Sequence, residues 1–362
     1  MYRRSVLHTL TTLFGLALFS FGCNKQSNEA APGASAAPAP AKEEAPQVIT
    51  LQGSGASFPA PLYSRWFREF SAKNPNIRVN YQATGSGAGI KAFTAGQTDF
   101  GASDAAMTDD EIKAAEGNVV LLPMTAGHIV LAYNLPDVKE LKLSRDAYVG
   151  IFMGEIKKWN DAKIAKSNPG VKLPALDITP INRSDGSGTT FVFTQHLSAI
   201  NEKWKAGPGT GKSVSWPAKT AVGGAKNDGV AALIQRTPGA VGYIEFVYAA
   251  TSNQPTALLE NKAGKFVTPT PAAAAAALAN VEFPEDLRAW VTDPTGDEAY
   301  PIATYTWILA KKKYADKTKA EALKTLLKWC LSDGQKLSEE LHFLALPDSV
   351  TARVTKAVDG IE

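Results

Sequence analysis

Three short turns rich in glycine and serine constrain this chain most, because each follows a strand-like run and opens a helix-like one. They lie at residues 52–61, 84–89 and 183–189. Glycine lets the backbone turn without a Cβ clash, and the first turn of the following helix leaves backbone N–H groups without an intrahelical partner. The helix end adds roughly half a positive charge. Each turn therefore has the chemistry of an anion site.

The third turn also carries a pair of opposite charges. Arg183 offers a forked guanidinium suited to an oxyanion, and Asp185 is placed to hold that side chain or to temper its charge. One such turn alone is more typical of a simple helix cap than of a binding site. Three turns of one design in a single chain are hard to explain as three unrelated caps, so together they favour a binding role.

One carboxylate does not fit a plain anion site. Asp104 stands among small residues in the segment 98–106. A carboxylate facing an anion is repulsive unless the ligand donates a proton, which phosphate does near neutral pH and sulfate does not. A site built on that proton can reject a ligand lacking it by about 10⁴-fold or more. The alternative for Asp104 is an ordinary helix-capping role.

The composition is that of a soluble globular protein with an α/β fold. The chain has 362 residues, 44% of them hydrophobic and 20% charged, which is enough for two domains. Strand-like and helix-like runs alternate, with a strand at 48–51, a helix at 272–277, a strand at 300–310 and a helix at 318–331. The net charge of +3 is too small and too evenly spread for a nucleic-acid partner.

The front of the chain resembles an export signal followed by a tether. Residues 1–22 carry two arginines at positions 3 and 4 and continue as a mostly apolar run, which predicts a signal peptide. Residues 18–23 resemble the lipobox of bacterial lipoproteins, with Cys23 as the lipid attachment site, although Ser20 and Phe21 depart from that pattern. Residues 23–47 are rich in Ala and Pro, which predicts a disordered tether. Export by the Sec or the twin-arginine route stays open.

The sequence gives little support for a metal site, a reactive cysteine or a nucleotide-binding loop. The four histidines are far apart and none has metal-ligand spacing, so we predict neither a metal nor a cofactor. Cys330 sits among leucines at helical spacing, which predicts a buried core residue. Residues 206–213 match a relaxed nucleotide-binding loop, but that loop requires a preceding buried strand and a following helix, and neither is indicated here.

Four stretches together resemble the PstS family, the phosphate-binding proteins of the ABC phosphate importer. They are residues 53–61, 99–104, 156–161 and 183–189, and the resemblance extends over about 48–354. It implies a type II periplasmic-binding-protein-like fold with two α/β lobes closing on a ligand cleft. Lobe 1 would comprise 48–126 plus 303–362, and lobe 2 would comprise 127–302.

The resemblance also implies a set of phosphate contacts. Carried over by motif position, they are Ala56, Ser57, Phe58, Ser86, Asp104, Arg183, Ser187, Gly188 and Thr189. Asp104 would accept the ligand proton, Arg183 would supply the full positive charge, and Asp185 would support Arg183. This chain has Ser57 where the family usually has threonine, and a single serine at 86 where two adjacent serines are common.

The function implied is that of a non-catalytic, extracytoplasmic receptor. It would bind phosphate as a monomer in the periplasm or at the outer face of a membrane, with a possible lipid anchor, and deliver it to a membrane permease. One alternative is a receptor of the same fold for another oxyanion, such as sulfate or molybdate. A secreted phosphatase or serine hydrolase is less favoured, because Ser86 and Ser187 lack the Gly-x-Ser-x-Gly spacing and metal ligands are missing.

Overall fold

The computed structural model describes residues 48–362, which belong to one compact unit. The predicted signal peptide 1–22, Cys23 and the tether 23–47 lie outside the described residues. None of the helices in the described part of the chain is both long enough and apolar enough to cross a bilayer.

Strands and helices alternate along most of the described chain, as the α/β prediction requires. The strands are β1 (Ile49–Gly55), β2 (Ile77–Ala83), β3 (Phe100–Ser103), β4 (Val120–Tyr133), β5 (Lys142–Leu143), β6 (Thr179–Arg183), β7 (Val222–Gly224), β8 (Ala240–Glu245), β9 (Leu258–Glu260), β10 (Phe266–Val267) and β11 (Ala303–Ala310). The helices are α1 (Ala60–Lys73), α2 (Ser86–Thr94), α3 (Asp109–Ala114), α4 (Arg145–Phe152), α5 (Ala162–Ala165), α6 (Gly188–Ile200), α7 (Glu202–Ala206), α8 (Lys226–Arg236), α9 (Phe246–Thr251), α10 (Pro271–Leu278), α11 (Lys317–Leu331), α12 (Asp333–Glu340) and α13 (Asp348–Asp359).

The main sheet has eight strands in the order β2-β1-β3-β11-β4-β8-β6-β7. The long strand β4 pairs with two neighbours. Its residues Val120 to His128 pair with β11, and its residues Ile129 to Tyr133 pair with β8. We call the strands on the β11 side, with the first part of β4, the first half-sheet. The remainder of β4 with β8, β6 and β7 is the second half-sheet. The predicted lobe boundary at 126/127 falls next to this change of partner.

Each half-sheet combines parallel strands with antiparallel strands at the junction. Strand β1 is parallel to β2 and β3, and β6 is parallel to β7 and β8. Strand β11 is antiparallel to β3 and β4. Because carboxyl ends of parallel strands meet at one edge, the turns after β1, β2, β3 and β6 are each led to the edge of their own half-sheet.

Apolar faces of the helices cover the sheet as their periodicity predicts. In α1 the buried side chains include Leu62, Trp66, Phe67 and Phe70, spaced to lie along one face. Helix α11 buries its leucines together with Cys330, which has no exposed surface and is free. The prediction of Cys330 as a core residue is confirmed.

A second, three-stranded sheet of β10, β9 and β5 lies apart from the main one. The segment after it returns to the first half-sheet: the Trp307 indole donates to the Leu287 carbonyl at 2.8 Å, and Arg353 donates to the Phe283 carbonyl at 2.6 Å. The segment 283–287, which the sequence analysis assigned to lobe 2, therefore packs against β11 and α13.

The loop resembling a nucleotide-binding motif has no such role in the fold. Residues 207–213 follow helix α7 rather than a buried strand, and the next element is strand β7. The strand predicted at 300–310 begins instead at Ala303. The helix predicted at 272–277 lies within α10.

Candidate anion-binding site

The second and third glycine-rich turns touch each other across the two half-sheets. The Gly87 N–H donates to the Gly186 carbonyl at 2.8 Å. A Cβ on Gly188 would lie 2.6 Å from the Ser86 hydroxyl and 2.8 Å from the Asp104 nitrogen. Two turns that are far apart in the chain are thus in contact. Such a contact is what a single site shared by these turns requires.

Gly85 shows why the second turn needs glycine. Its φ of +91° belongs to the region that side chains rarely adopt, and a Cβ there would lie 2.3 Å from the Asp185 carboxylate. Gly85 also starts α2 without a side-chain cap. The bend therefore brings the start of this helix against the third turn.

The third turn opens α6 with a side-chain cap. Ser187 is the N-cap, and its hydroxyl accepts the Thr190 N–H at 3.0 Å. Gly188 and Thr189 are the first two helical residues, so their N–H groups have no intrahelical acceptor. These amides, with the helix dipole behind them, are suited to an anion.

Arg183 is buried at the end of β6 and held by Asp185. The guanidinium donates from Nε and Nη2 to the two carboxylate oxygens at 2.8 and 2.6 Å, and from Nη1 to the Thr189 hydroxyl at 3.3 Å. Although burial opposes it, the hydrogen bonds and charge of Arg183 lower the pKa of Asp185. Arg183 has five N–H groups, so two remain for another acceptor.

Asp104 lies directly after β3, among hydroxyl groups. Its carboxylate lies 3.4 Å from the Ser86 hydroxyl and accepts from the Thr306 hydroxyl at 3.0 Å. Burial raises the pKa of Asp104 to about 7, although the Thr306 hydroxyl, the Arg183 charge and the hydroxyls of Ser86 and Thr189 lower it. An acid with that pKa can hold or accept a proton near neutral pH.

The first turn supplies Ser57 and Phe58, which precede Pro59, the N-cap of α1. Ser57 contacts two helices that adjoin the second half-sheet, because its carbonyl accepts from the Tyr248 hydroxyl of α9 and its hydroxyl accepts from Asn227 of α8. Ala56 differs from the expectation, since its N–H already donates to the Ala102 carbonyl at 2.9 Å. Ala56 thus shapes the turn, and its amide is committed within the protein.

The predicted contact side chains are almost completely enclosed. The side-chain-bearing members Ser57, Ser86, Asp104, Arg183, Ser187 and Thr189 are each between 0% and 5% exposed. Hydrogen bonds and charges in such surroundings interact more strongly than in water. The cluster has one buried cation, its carboxylate partner and one acid of raised pKa, so amide and hydroxyl dipoles supply most of its attraction for an anion.

Two buried residues at the site were missed by sequence reasoning. Asn227 at the start of α8 donates to the hydroxyls of Ser57 and Thr189, and Thr306 in β11 donates to Asp104. The glycine-rich segment 223–229 forms a fourth strand–turn–helix unit, from β7 into α8, and Asn227 is the second residue of that helix. Thr306 has no local signal, since it is an ordinary strand residue.

One ion pair at the rim joins elements that follow different half-sheets. Lys212, in the loop before β7, lies 2.7 Å from Glu111 of α3, and both side chains are less than a third exposed. The backbone carbonyl of Lys212 also accepts the Ser187 N–H at 2.8 Å. Around the site the two half-sheets are therefore in contact at several points.

The fold and the enclosed cluster define a binding protein of the periplasmic-binding-protein class, and comparisons with known proteins agree. The model of the PBP superfamily domain matches residues 40–334. Among solved structures, a high-affinity periplasmic phosphate-binding protein, PfluDING, bound with phosphate superposes with a TM-score of 0.72 at 21% identity, covering 85% of this chain and 93% of that one. That likeness concerns the fold alone.

Curated relatives narrow the class to one family. A phosphate-binding protein PstS of Xylella fastidiosa is 37% identical over 341 residues, covering 92% of each chain. Another PstS, of Methanocaldococcus jannaschii, is 38% identical over 348 residues, covering 89% of each chain. The chain belongs to the PstS family of phosphate-binding proteins, and the resemblance noted from the sequence is confirmed.

Proposed function

We propose that this protein binds inorganic phosphate and delivers it to an ABC importer. Its relatives are named as phosphate-binding proteins PstS, and the neighbouring PfluDING structure holds phosphate. We further propose that the protein works outside the cytoplasm, has no catalytic activity and docks as a monomer on a membrane permease.

The observation that carries the proposal is the enclosed cluster in which helix starts, Arg183 and Asp104 meet. In our assignment the anion receives hydrogen bonds from the hydroxyls and amides of the three turns and from the two free N–H groups of Arg183. The contact residues are Ser57, Phe58, Ser86, Asp104, Arg183, Ser187, Gly188 and Thr189, with Ala56 and Asp185 in support.

Asp104 gives the site its preference for a protonated anion. Monohydrogen phosphate has one hydroxyl group to donate, and the Asp104 carboxylate is placed to accept it. Sulfate has no proton to donate near neutral pH, so the same carboxylate would oppose it without compensation. This is the chemical reason for preferring phosphate to other tetrahedral oxyanions.

We further propose that the half-sheets belong to two lobes that close on the ligand. Lobe 1 comprises 48–126 and 303–362, and lobe 2 comprises 127–302, with the segment 283–287 packed on the first lobe as its contacts indicate. Closure would be favoured by contacts that the ligand makes only in the closed form. A signal peptide at 1–22 would direct export and be removed, and a lipid on Cys23 would then hold the mature protein at the membrane.

Calorimetry with phosphate and sulfate tests the proposal. The purified protein should bind phosphate with 1:1 stoichiometry and bind sulfate at least a thousandfold more weakly. Equal affinity, or tighter binding of sulfate or molybdate, would contradict the assignment of phosphate. Incubation with a phosphate ester tests the enzymatic alternative, because release of phosphate above background would contradict a pure binding role.

A further inference from the structure

Asn227 is completely buried between the two half-sheets, and its orientation is fixed. Its side-chain oxygen accepts the Glu245 backbone N–H at 3.0 Å. Because a backbone N–H can only donate, the oxygen of the amide must lie on that side. The NH₂ group consequently faces the Ser57 and Thr189 hydroxyls, at 3.1 and 3.4 Å.

Asn227 occupies the whole accepting capacity of the Ser57 hydroxyl. The backbone N–H of Asn227 donates to Ser57 Oγ at 3.2 Å, and the side-chain Nδ2 donates to the same oxygen at 3.1 Å. A hydroxyl has two lone pairs and one hydrogen. With both lone pairs taken, the Ser57 O–H can only donate, and it is left for a ligand acceptor.

The Thr189 hydroxyl is set in the same way. It accepts from Arg183 Nη1 at 3.3 Å and from Asn227 Nδ2 at 3.4 Å. Its hydrogen can then only be donated, and without a ligand the neighbouring acceptor for it is the Asp104 carboxylate. Two hydroxyls from different half-sheets are thus prepared as donors by one side chain, while Asp104 is the acceptor in the cluster.

We infer that Asn227 is a positioning residue that fixes the Ser57 and Thr189 hydroxyls as donors to the bound anion. The inference rests on the proposed function and deepens it. Asn227 follows β7 and Ser57 follows β1, so these bonds form only when the two half-sheets are together. Closure therefore completes the set of hydrogen-bond donors around the anion. With many donors and a single acceptor, the site favours an anion that accepts many hydrogen bonds over one that must donate more than one proton.

A double-mutant cycle measured by calorimetry with inorganic phosphate tests this role. We expect Asn227→Ala and Ser57→Ala each to weaken phosphate binding on the order of 10- to 100-fold. If Asn227 acts through the Ser57 hydroxyl, the two losses should not multiply. The phosphate affinity of the double variant should then be at most about threefold below that of whichever single variant binds phosphate less tightly. A loss equal to the product of the two single losses would overturn the inference.

A conservative variant and a matched control complete the test. Asn227→Asp keeps an acceptor for the Glu245 N–H but replaces the donating NH₂, so phosphate binding should weaken at least as much as in Asn227→Ala. Asn261→Ala removes an equally buried amide that donates to three carbonyls beside the three-stranded sheet. It should lower the melting temperature and leave phosphate affinity unchanged.

The outcomes separate the inference from the proposed function. If the unmodified protein binds no phosphate, the proposed function fails. If the unmodified protein binds phosphate and both Asn227 variants bind it as tightly, only the role of Asn227 is overturned.

Discussion

At the scale of single residues, the carboxylate of Asp104 lies beside the Ser86 and Thr306 hydroxyls in a cluster that also contains Arg183. Its raised pKa has one main cause, which is burial, and the favourable contacts only partly offset it. An acid held in that environment should affect both the ligand preference of the site and the pH dependence of stability.

Replacing Asp104 by asparagine should narrow the preference for phosphate over sulfate. The amide can donate as well as accept, so it no longer opposes an anion that lacks a proton. We expect the ratio of the two affinities to fall by at least tenfold in Asp104→Asn, measured by calorimetry at pH 8. Asp177→Asn, at a side chain that is 79% exposed, is the control. An unchanged ratio would remove Asp104 from ligand discrimination.

The same substitution should change how stability depends on pH. The folded-state pKa of Asp104 is raised from 3.8 to about 7. Stability associated with its protonated form is fully present below about pH 4 and is lost as the pH rises through 7. In phosphate-free buffer, Asp104→Asn should exceed the unmodified protein in unfolding free energy at pH 8, on the order of a few kcal/mol. Denaturant titrations should show that this gain disappears near pH 4; a constant gain at both pH values would contradict the raised pKa.

At the scale of elements, the strand–turn–helix unit is the recurring device of the site. Sequence reasoning located three of these units because their signals are local: glycines, hydroxyls and a following apolar period. It could not identify the role of Asn227 in the fourth unit or of Thr306 in β11, because those depend on pairings between distant segments. The hydrogen bond from the Ala56 N–H to the Ala102 carbonyl likewise depends on the pairing of β1 with β3.

Gly188→Ala should weaken phosphate binding without damaging α6. The new Cβ would lie 2.6 Å from Ser86 Oγ and 2.7 Å from Asp104 Cβ, so it would separate the second and third turns. Overpacking of this kind costs roughly 1–3 kcal/mol, which corresponds to about 10- to 100-fold in affinity. Calorimetry should show that loss, and circular dichroism should show unchanged helix content.

Gly229→Ala in α8 is the matched control for that variant. Its Cβ would meet no heavy atom closer than 3.7 Å. Alanine in a helix interior is favoured over glycine by about 0.5–1 kcal/mol, so the control should be slightly stabilised with unchanged affinity. Equal phosphate affinity in Gly188→Ala and Gly229→Ala would show that close contact between the turns is not needed for binding.

At the scale of the whole molecule, the elements around the two half-sheets meet in contacts that could not be predicted from the sequence. The α/β class and family followed from pattern and motif. The packing of 283–287 on β11 and α13 did not, because it rests on single long-range bonds such as that of Trp307 to Leu287. The ion pair of Lys212 with Glu111 is a second example, in which two ordinary surface charges meet across the site.

Glu111→Gln should modestly accelerate the release of phosphate. Glutamine keeps the capping of α3, in which Glu111 accepts the Thr108 N–H, but removes the charge facing Lys212. Partly exposed ion pairs contribute about 0.2–1 kcal/mol, so the affinity should fall at most about fivefold. Stopped-flow dissociation in low and high salt should show the difference shrinking as salt increases.

Glu140→Gln provides the comparison for Glu111→Gln. Glu140 pairs with nearby Lys142 and its side chain is 63% exposed. Its replacement should leave phosphate release unchanged at every salt concentration. Equal release rates for both variants and the unmodified protein would mean that the rim ion pair does not hold the closed form.

Strand β4 runs without interruption from one half-sheet into the other, changing partner between His128 and Ile129. If the two proposed lobes move apart, we expect the backbone at this change of partner to take up part of the rotation, because β4 is covalently continuous there while its hydrogen-bonded neighbour differs on either side.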